Sequence, residues 1–318
     1  MGNNKEFETY TLTNEAGDIV KVTEMEVKEG NAIKVTVTTE DQREGYKHKL
    51  ELDEQMREFI KKNEGAFVHL IFKYGTTIFK ELEEKAPGSK CNIHIIRFMM
   101  LTTCLTFGGN LFDSNKNRVK KSSLKSIWDT SSRNSINETY NLLTECGYIY
   151  ETEEGYLMIN EDIVIKGAVS DIIEELKKQD RDFTCTRVFV DNLKAMYEGT
   201  ESKQRKQLAN LFKALPYINY KYNIFCSNPT ETDKSKIEPL TWTDLARLCG
   251  YEEKNHVTKF KDSLRKLTID GRGVIGQFEG ITDKKLIVVN PKIYYAGDNV
   301  DDIKGLQALF DIIDGKRD

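Results

Sequence analysis

Asn255, His256, Thr258 and Lys259 open a segment in which Val257, Phe260, Leu264 and Leu267 recur at helical spacing. The opposite stripe of that helix is Asn255, Lys259, Asp262 and Lys266. Amides and ammonium groups on one ridge suit the edges of base pairs. Asn can grip adenine through two hydrogen bonds, and Lys can reach guanine O6 and N7. A second ridge of the same kind is Arg133, Asn134, Asn137 and Asn141. Asn is a poor helix former, so three on one face carry a cost that a reading surface would explain. An ordinary solvated face uses the same residues and is the competing account. Phosphate contacts would come from Lys120 and Lys121 ahead of the first ridge. Arg272, Lys284 and Lys285 follow the second ridge at a hairpin. Such contacts position a protein on a duplex without reading sequence.

Three acids at the first hairpin tip, Glu151, Glu153 and Glu154, would repel a phosphate backbone. Glu252 and Glu253 do the same just before the second ridge. The net charge of −4 also opposes nucleic-acid binding, but its distribution is uneven. Residues 1–64 hold 15 acids and 10 bases, and residues 298–318 hold 6 acids and 3 bases. Ser114 to Asn137 holds six bases against Asp129 alone, and Ser202 to Lys221 holds five bases and no acid. Salt screens charges beyond about 8–10 Å, so local stripes matter more than the total.

Catalytic patterns are lacking. There is no GxxxxGK phosphate loop, no H-E-x-x-H and no G-x-S-x-G. His48, His69, His94 and His256 are scattered. Gly271-Arg272-Gly273-Val274-Ile275-Gly276 matches GxGxxG, but it follows a helix and precedes a strand, the reverse of a dinucleotide fingerprint. A hairpin turn accounts for it. Cys91 and His94 have CxxH spacing, and no second pair follows nearby to complete a metal site. The six cysteines form no CxxC and are expected to be reduced and mostly buried. The chain is therefore expected to be neither an enzyme nor a carrier of a metal or cofactor.

These side chains need a scaffold, and a cassette occurring twice supplies it. Asn160, Ile163 and Gly167 match Asn290, Ile293 and Gly297 at an offset of 130 residues. Upstream, Leu124, Ile127, Ile136 and Leu143 match Leu245, Leu248, Val257 and Leu264 at an offset of 121. Repeated helical cores with a loop insertion are the mark of repeated modules. Each copy reads helix, turn, helix, hairpin. Ser122 or Ser123 can start a helix through Asp129, and Ser131-Ser132 can cap the next from Arg133 to Cys146. Thr241 or Thr243 can cap a helix to Cys249, Gly250 turns the chain, and Asn255 to Leu267 is the helix after it.

The rest is organised around those cassettes. Residues 6–52 alternate like strands and form a small β-rich cap, with a short helix expected over Leu52 to Lys62. Phe67 to Phe72 reads as a strand or helix start, and Gly75 to Glu84 as helix. Asn92 to Thr106 is a nearly all-apolar helix closed by Gly108-Gly109. Val169 to Lys178 and Arg187 to Tyr197 read as linking helices, with Gln179 to Asp182 as the inter-module boundary. Lys203 to Leu215 is a helix ended by Pro216. Tyr217, Tyr220 and Tyr222 fit a half-buried strand better than a platform for stacked bases. The tail, Val300 to Ile313, is amphipathic and is expected to fold back on its own module, a homodimer contact being the other placement.

Leu215-Pro216-Tyr217-Ile218-Asn219-Tyr220-Lys221-Tyr222-Asn223-Ile224, then Asn228-Pro229, Pro239-Leu240 and Val289-Asn290-Pro291-Lys292-Ile293-Tyr294-Tyr295-Ala296-Gly297, resemble winged-helix proteins of phages and plasmids of Gram-positive bacteria. The ending also resembles RepL-type plasmid replication proteins. The likeness is good over about residues 200–310, weaker over 65–167 and absent from the cap, and Glu161 stands where the pattern has Pro. It implies a DNA-binding role in replication or transcription control and transfers no enzymatic activity.

The expectation is an α+β chain of tandem winged-helix modules. Residues 1–64 are the β-rich cap, 65–167 the first module, 168–201 the linking helices, and 202–318 the second module with its C-terminal helix. The expected partner is double-stranded DNA, read in sequence. The alternatives are a replication initiator that recruits host replication proteins, and an interaction module that binds a host replication or transcription protein. Met1-Gly2-Asn3-Asn4-Lys5-Glu6 carries no apolar leader, and Ile93 to Phe107 is too short and polar to span a bilayer. A cytoplasmic protein without a membrane partner is expected.

Overall fold

The computed structural model describes residues 8–13, 19–24, 38–39, 66–72, 75–76, 78–167, 184–269, 271–279, 285–291, 294–295 and 310. The chain is an α+β protein that divides into two units, Met1–Glu58 and Phe59–Asp318. The first holds an antiparallel sheet in the order β1 (Glu8–Thr13), β2 (Ile19–Glu24), β3 (Thr38–Thr39). Thr13 pairs with Ile19, and Val20 pairs with Thr39. The helix expected over 52–62 lies outside the described residues.

The second unit runs β4 (Phe67–Phe72), α1 (Lys80–Lys85), α2 (Asn92–Thr102), α3 (Leu124–Ile127), α4 (Arg133–Glu145), β5 (Ile149–Glu151), β6 (Leu157–Ile159), β7 (Val164–Ile165), β8 (Thr184–Phe189), α5 (Val190–Glu198), α6 (Ala209–Ala214), α7 (Trp242–Leu248), α8 (Lys254–Arg265), β9 (Thr268–Ile269), β10 (Arg272–Gly273), β11 (Ile275–Glu279), β12 (Lys285–Val289) and β13 (Tyr294–Tyr295). Short 3-10 turns extend α3 backward over Lys121–Ser123 and α6 in both directions, over Arg205–Leu208 and Leu215–Tyr217. An antiparallel sheet in the order β13-β8-β4-β7 stands beside these helices.

Two stretches of the second unit have the same plan. In the first, α2 is followed by a tight loop in which Leu105 bridges Leu111, then α3, α4 and the β5–β6 hairpin. The loop strand joins the hairpin, through Asn110 opposite Met158 and Lys120 opposite Tyr156. In the second, α6 is followed by a loop in which Ile218 bridges Phe225, then α7, α8 and the β11–β12 hairpin. Here Ile224 stands opposite Val288. The matched asparagines make matched bonds. Asn160 Nδ2 donates to the Gly147 carbonyl (3.0 Å) and its backbone N–H to the Tyr148 carbonyl (3.0 Å). Asn290 Nδ2 donates to Gly273 (3.1 Å) and its N–H to Val274 (2.8 Å). Each Asn thus ties the hairpin's last strand to the chain that enters it.

The apolar positions that match in sequence mostly match in burial. Leu124, Leu143, Leu245 and Leu264 are fully buried, and Ile136 and Val257 are half-buried. Ile127 is half-buried whereas its counterpart Leu248 is 45% exposed. One hydrophobic cluster extends without a break from Val68 to Val289 and includes residues of α2, α4, α6 and α8. Phe310 is buried against Ile224, Val288 and Phe278, so that this residue of the tail covers the β11–β12 hairpin of its own chain. The rest of the tail lies outside the described residues.

Several elements differ from expectation for local reasons. The apolar helix begun at Asn92 stops at Thr102, because Thr102 and Thr103 turn their hydroxyls back onto the Met99 and Met100 carbonyls and the chain then bridges Leu105 to Leu111. Gly109 serves close approach instead of ending a helix. At φ +71° a Cβ there would lie 2.6 Å from the Ile159 carbonyl oxygen. Helix over Gly75 to Glu84 is confined to Lys80–Lys85. Arg187 to Phe189 is strand, not helix. Thr184 to Phe189 pairs along all of β4, and the helix begins only at Val190. Pro216 does not terminate the helix before it but sits inside its final 3-10 turn, where its missing N–H costs nothing. Tyr217 to Tyr222 forms no strand beyond the single Ile218 bridge: Tyr217 ends the 3-10 turn, and Tyr220 to Tyr222 is a turn, with Asn219 accepting from the N–H groups of Lys221 and Tyr222. The stretches 169–178 and 179–182 lie outside the described residues.

Candidate nucleic-acid interface

Helix α4 begins where Ser132 accepts from the Ser135 N–H (3.3 Å), the expected cap. Its buried side carries Thr139 and Leu143, with Ile136 and Tyr140 half-buried. Its outer side presents Arg133, Asn134 and Asn141, exposed, and Asn137, half-buried. None of the four side chains hydrogen-bonds a described residue. A polar network fixes the helix from below. Arg97, only 5% exposed, donates from Nη1 to the Ser135 carbonyl (2.8 Å), Ser135 Oγ (2.9 Å) and Thr139 Oγ1 (2.7 Å). His94 Nδ1 meets Thr139 Oγ1 at 2.9 Å, and Trp128 Nε1 donates to the Arg97 carbonyl. Burial lowers the pKa of His94, Arg97 adds to that, and Glu138 opposes it, so the imidazole stays neutral at pH 7.

Helix α8 is capped at Glu253 without a side-chain bond. Phe260 and Leu264 face inward, and Tyr251 packs on Phe260 with ring centroids 5.2 Å apart. Lys254, Asn255, His256, Thr258 and Lys259 are all exposed over its first turns. His256 Nδ1 lies 3.7 Å from Glu253, and Thr258 Oγ1 donates to the Lys254 carbonyl. Lys254, Asn255 and Lys259 make no side-chain hydrogen bond or ion pair with a described residue. Lys266 is also exposed, but it follows the last residue of the helix, about 16 Å along the axis from Asn255. Its backbone N–H still donates to the Asp262 carbonyl (3.2 Å), so it keeps the helical register at the C-cap.

The hairpins differ. Glu151, Glu153 and Glu154 are exposed around the β5–β6 turn, with the Tyr140 hydroxyl donating to Glu151. Beside them lies a basic edge held by aromatic faces. Arg118 and Lys120 sit over Tyr156 at 4.2 and 4.6 Å, and Lys121 over Tyr140 at 3.9 Å. In the second hairpin Lys285 is exposed at the start of β12, and Arg272 is exposed in β10 after the Gly271 turn (φ +77°) that accounts for the glycine motif. Lys284 lies outside the described residues.

One basic run presents only part of the surface its composition suggests, since Lys203 and Lys206 are exposed but the other three bases are engaged. Within Ser202 to Lys221, Lys213 is 1% exposed at its side chain and pairs with Glu83 at 3.1 Å. It also donates to Gly88 and lies 3.8 Å from the Cys91 sulfur. Arg205 pairs with Asp129 at 2.7 Å, and Lys221 lies over Tyr222. An apolar i, i+4 neighbourhood marks Lys213 as a core position, and its charge masked that in the sequence. The run Ser114 to Asn137, by contrast, keeps Lys116, Lys120, Lys125 and Arg133 exposed. Next to the α4 start it borders a pocket of about 540 Å³ lined by Ser122, Lys125, Ser126, Asp129, Thr130 and Ser131. Hydroxyls and a lysine beside a helix N-terminus are suited to a phosphate. Lys125, Arg118 and Lys254 belong beside the expected residues, and the Ser/Thr run before the Ser132 cap was the available signal. Cys91 donates to the Gly88 carbonyl while His94 turns to Thr139, so the CxxH pair does not converge.

No family model, no curated protein and no solved structure matches the chain. No helix of the described residues is long and apolar enough to cross a membrane.

Proposed function

We propose that the chain is a tandem winged-helix protein that binds double-stranded DNA and reads its sequence, in replication or transcription control of a phage or plasmid. The observation that carries this reading is the pair of exposed polar ridges on α4 and α8. Each is the last helix of a three-helix body backed by a hairpin, the position that enters the major groove in helix-turn-helix proteins. Asn134 and Asn255 stand at the first turns, where base edges are reached, and both side chains are open. Lys125, Lys120, Arg133, Lys254 and Lys285 supply phosphate contacts around them.

The test is duplex affinity of the full chain for genomic fragments, by fluorescence anisotropy at about 50 and about 200 mM salt, both chosen from the range in which counterion release is read. Affinity falls on the order of 100-fold or more for about four phosphate contacts. Lys259→Ala weakens binding roughly 5- to 30-fold. Absence of duplex binding at the lower salt refutes the reading.

A second reading, a module that docks on a host protein, is favoured by the acidic tip of the first hairpin and by Phe107, Tyr150 and Leu248, exposed at 73%, 47% and 45%. It takes precedence if Lys259→Ala leaves duplex affinity unchanged while the chain retains a protein partner through Phe107 or Leu248.

A further inference from the structure

Two polar contacts cross between the modules in opposite directions. At the start of α2, Asn92 Nδ2 donates to Tyr251 Oη (2.9 Å), in the turn between α7 and α8. At the start of the α6 segment, Arg205 Nη1 donates to Asp129 Oδ2 (2.7 Å), in the turn between α3 and α4. The loop bridges give the register that relates these residues. Leu105 pairs with Leu111 as Ile218 pairs with Phe225, and Asn110 faces Met158 as Ile224 faces Val288. Counted back along each helix in that register, Asn92 corresponds to Arg205 and Arg97 to Asn210. The second correspondence repeats in what the side chains do. Arg97 donates to Ser135 and Thr139 on α4, and Asn210 Nδ2 donates to Ser263 on α8 (2.7 Å). Each first helix therefore supports its own reading helix and, with its opening residue, grasps the inter-helix turn of the other module.

The first helices meet each other as well. Asn92 Nδ2 donates to Asn210 Oδ1 (3.1 Å). The Arg97 carbonyl accepts from Trp128, whose own carbonyl accepts from Tyr197, whose carbonyl accepts from Arg205. Residue 92 thus lies by 210, and a relay of three bonds links residue 97 to residue 205, as an antiparallel pairing requires. Contacts that recur with the partners exchanged are the property of an isologous, two-fold interface. Asn92, Asn210 and Tyr251 are buried and mutually bonded. Such a network is favourable only in one geometry, which makes the seam a fixed setting and not a hinge.

We propose that the two modules are a fused pair related by a pseudo-two-fold axis, so that one chain reads two unlike half-sites in inverted orientation on one duplex. This rests on the duplex-binding reading above. The half-sites differ because the ridges differ. In the sequence register of the repeat, Arg133, Asn137, Glu138 and Asn141 on α4 stand where α8 has Lys254, Thr258, Lys259 and Asp262, and only Asn134 and Asn255 agree. Joining the modules in one chain supplies a high effective concentration of the second for its half-site, and no second copy is needed.

The experiment selects bound sequences from duplexes with a random core of about 30 base pairs, room for half-sites one or two helical turns apart. The probe is that pool, with the full chain and two variants. Wild type yields two different blocks at fixed spacing, with one chain per duplex by sedimentation. The variant Arg133→Lys, Asn137→Thr, Glu138→Lys, Asn141→Asp gives α4 the ridge of α8. Its selected site becomes a palindrome, the same block on opposite strands, preferred about 10-fold over the wild-type site. Asn255→Ala with Lys259→Ala changes only exposed side chains and erases one block while leaving the other. A single block from wild type, two chains per duplex, a same-strand repeat from the first variant, or loss of both blocks from the second overturns the pseudo-two-fold proposal and leaves duplex binding standing. No enrichment from the pool at all overturns duplex binding itself.

Discussion

Asn290 shows how much one side chain can carry where a strand must be tied to the chain beside it. It is 5% exposed and bonds Gly273 through its amide while its backbone bonds Val274. Asn290→Ala removes the hydrogen bond donated to the Gly273 carbonyl, and such a bond contributes about 0.5–1.5 kcal/mol. The expected outcome is a lower urea midpoint with an unchanged slope. Asn160→Ala, at the less buried counterpart, shifts the midpoint by less. His69 brings pH into the same accounting. It is 6% exposed, its Nδ1 has no hydrogen-bond partner among the described residues, and it packs edge-on to Phe67. Burial, with Arg187 adding to it, lowers its pKa from 6.5 to about 4. The unfolded chain then binds the proton more readily than the folded one. Stability is fully present above about pH 6.5 and is lost as pH falls toward 4, by about 3 kcal/mol at most for this group. Unfolding free energies measured between about pH 4 and 7 fall with acid, and His69→Phe flattens the part of the fall that His69 causes. An unchanged profile in His69→Phe would assign the fall elsewhere.

At the scale of elements, the Glu83–Lys213 pair ties α1 to α6 inside the core. Burial opposes the Lys213 charge, yet Tyr251, Cys91 and Glu83 outweigh it and the pKa is raised. The group is therefore charged throughout the neutral range, and its contribution is lost only as pH rises through that raised value, above about 10.4. Removing one partner strands the other. Glu83→Ala is expected to cost about 3 kcal/mol, and Glu83→Ala with Lys213→Met to recover much of it. Chemical denaturation of the single and double variants measures both. This pair also marks where the sequence stops being legible. The helices α4, α7 and α8 could be read because their apolar spacing and the caps of α4 and α7 at Ser132 and Thr241 are local signals. The ridge residues Arg133, Asn134, Asn255 and Lys259 followed from the same spacing, since whatever lies opposite a buried stripe is exposed. The end of strand β8, Arg187-Val188-Phe189, reads as helix because it runs straight into α5, and only its pairing with β4, more than a hundred residues earlier, makes it strand. Asn92, Asn210 and Lys213 could not be read as a seam, because a polar residue bonded across the core and one facing water look alike in a sequence.

Across the whole second unit the question is whether the two proposed modules mean two folding transitions. Independent modules joined by a linker would each bury their own core and melt separately. Here Leu143 and Leu264, at matched positions in α4 and α8, belong to one continuous cluster, and α2 packs on α6 through bonded, buried asparagines. Neither half can lose its core without exposing the apolar face of the other's first helix. Leu143→Ala and Leu264→Ala should each cost about 2–5 kcal/mol, because each removes a fully buried side chain. If the seam makes one cooperative body, each substitution lowers the same transition by a similar amount, and amide protection falls together in α4 and α8 in both variants. Hydrogen exchange of residues 78–167 and 205–291 reads this directly. Protection lost only in α4 for Leu143→Ala and only in α8 for Leu264→Ala would mean that the modules open separately. The fixed spacing proposed for two half-sites would then lack the rigid body it requires.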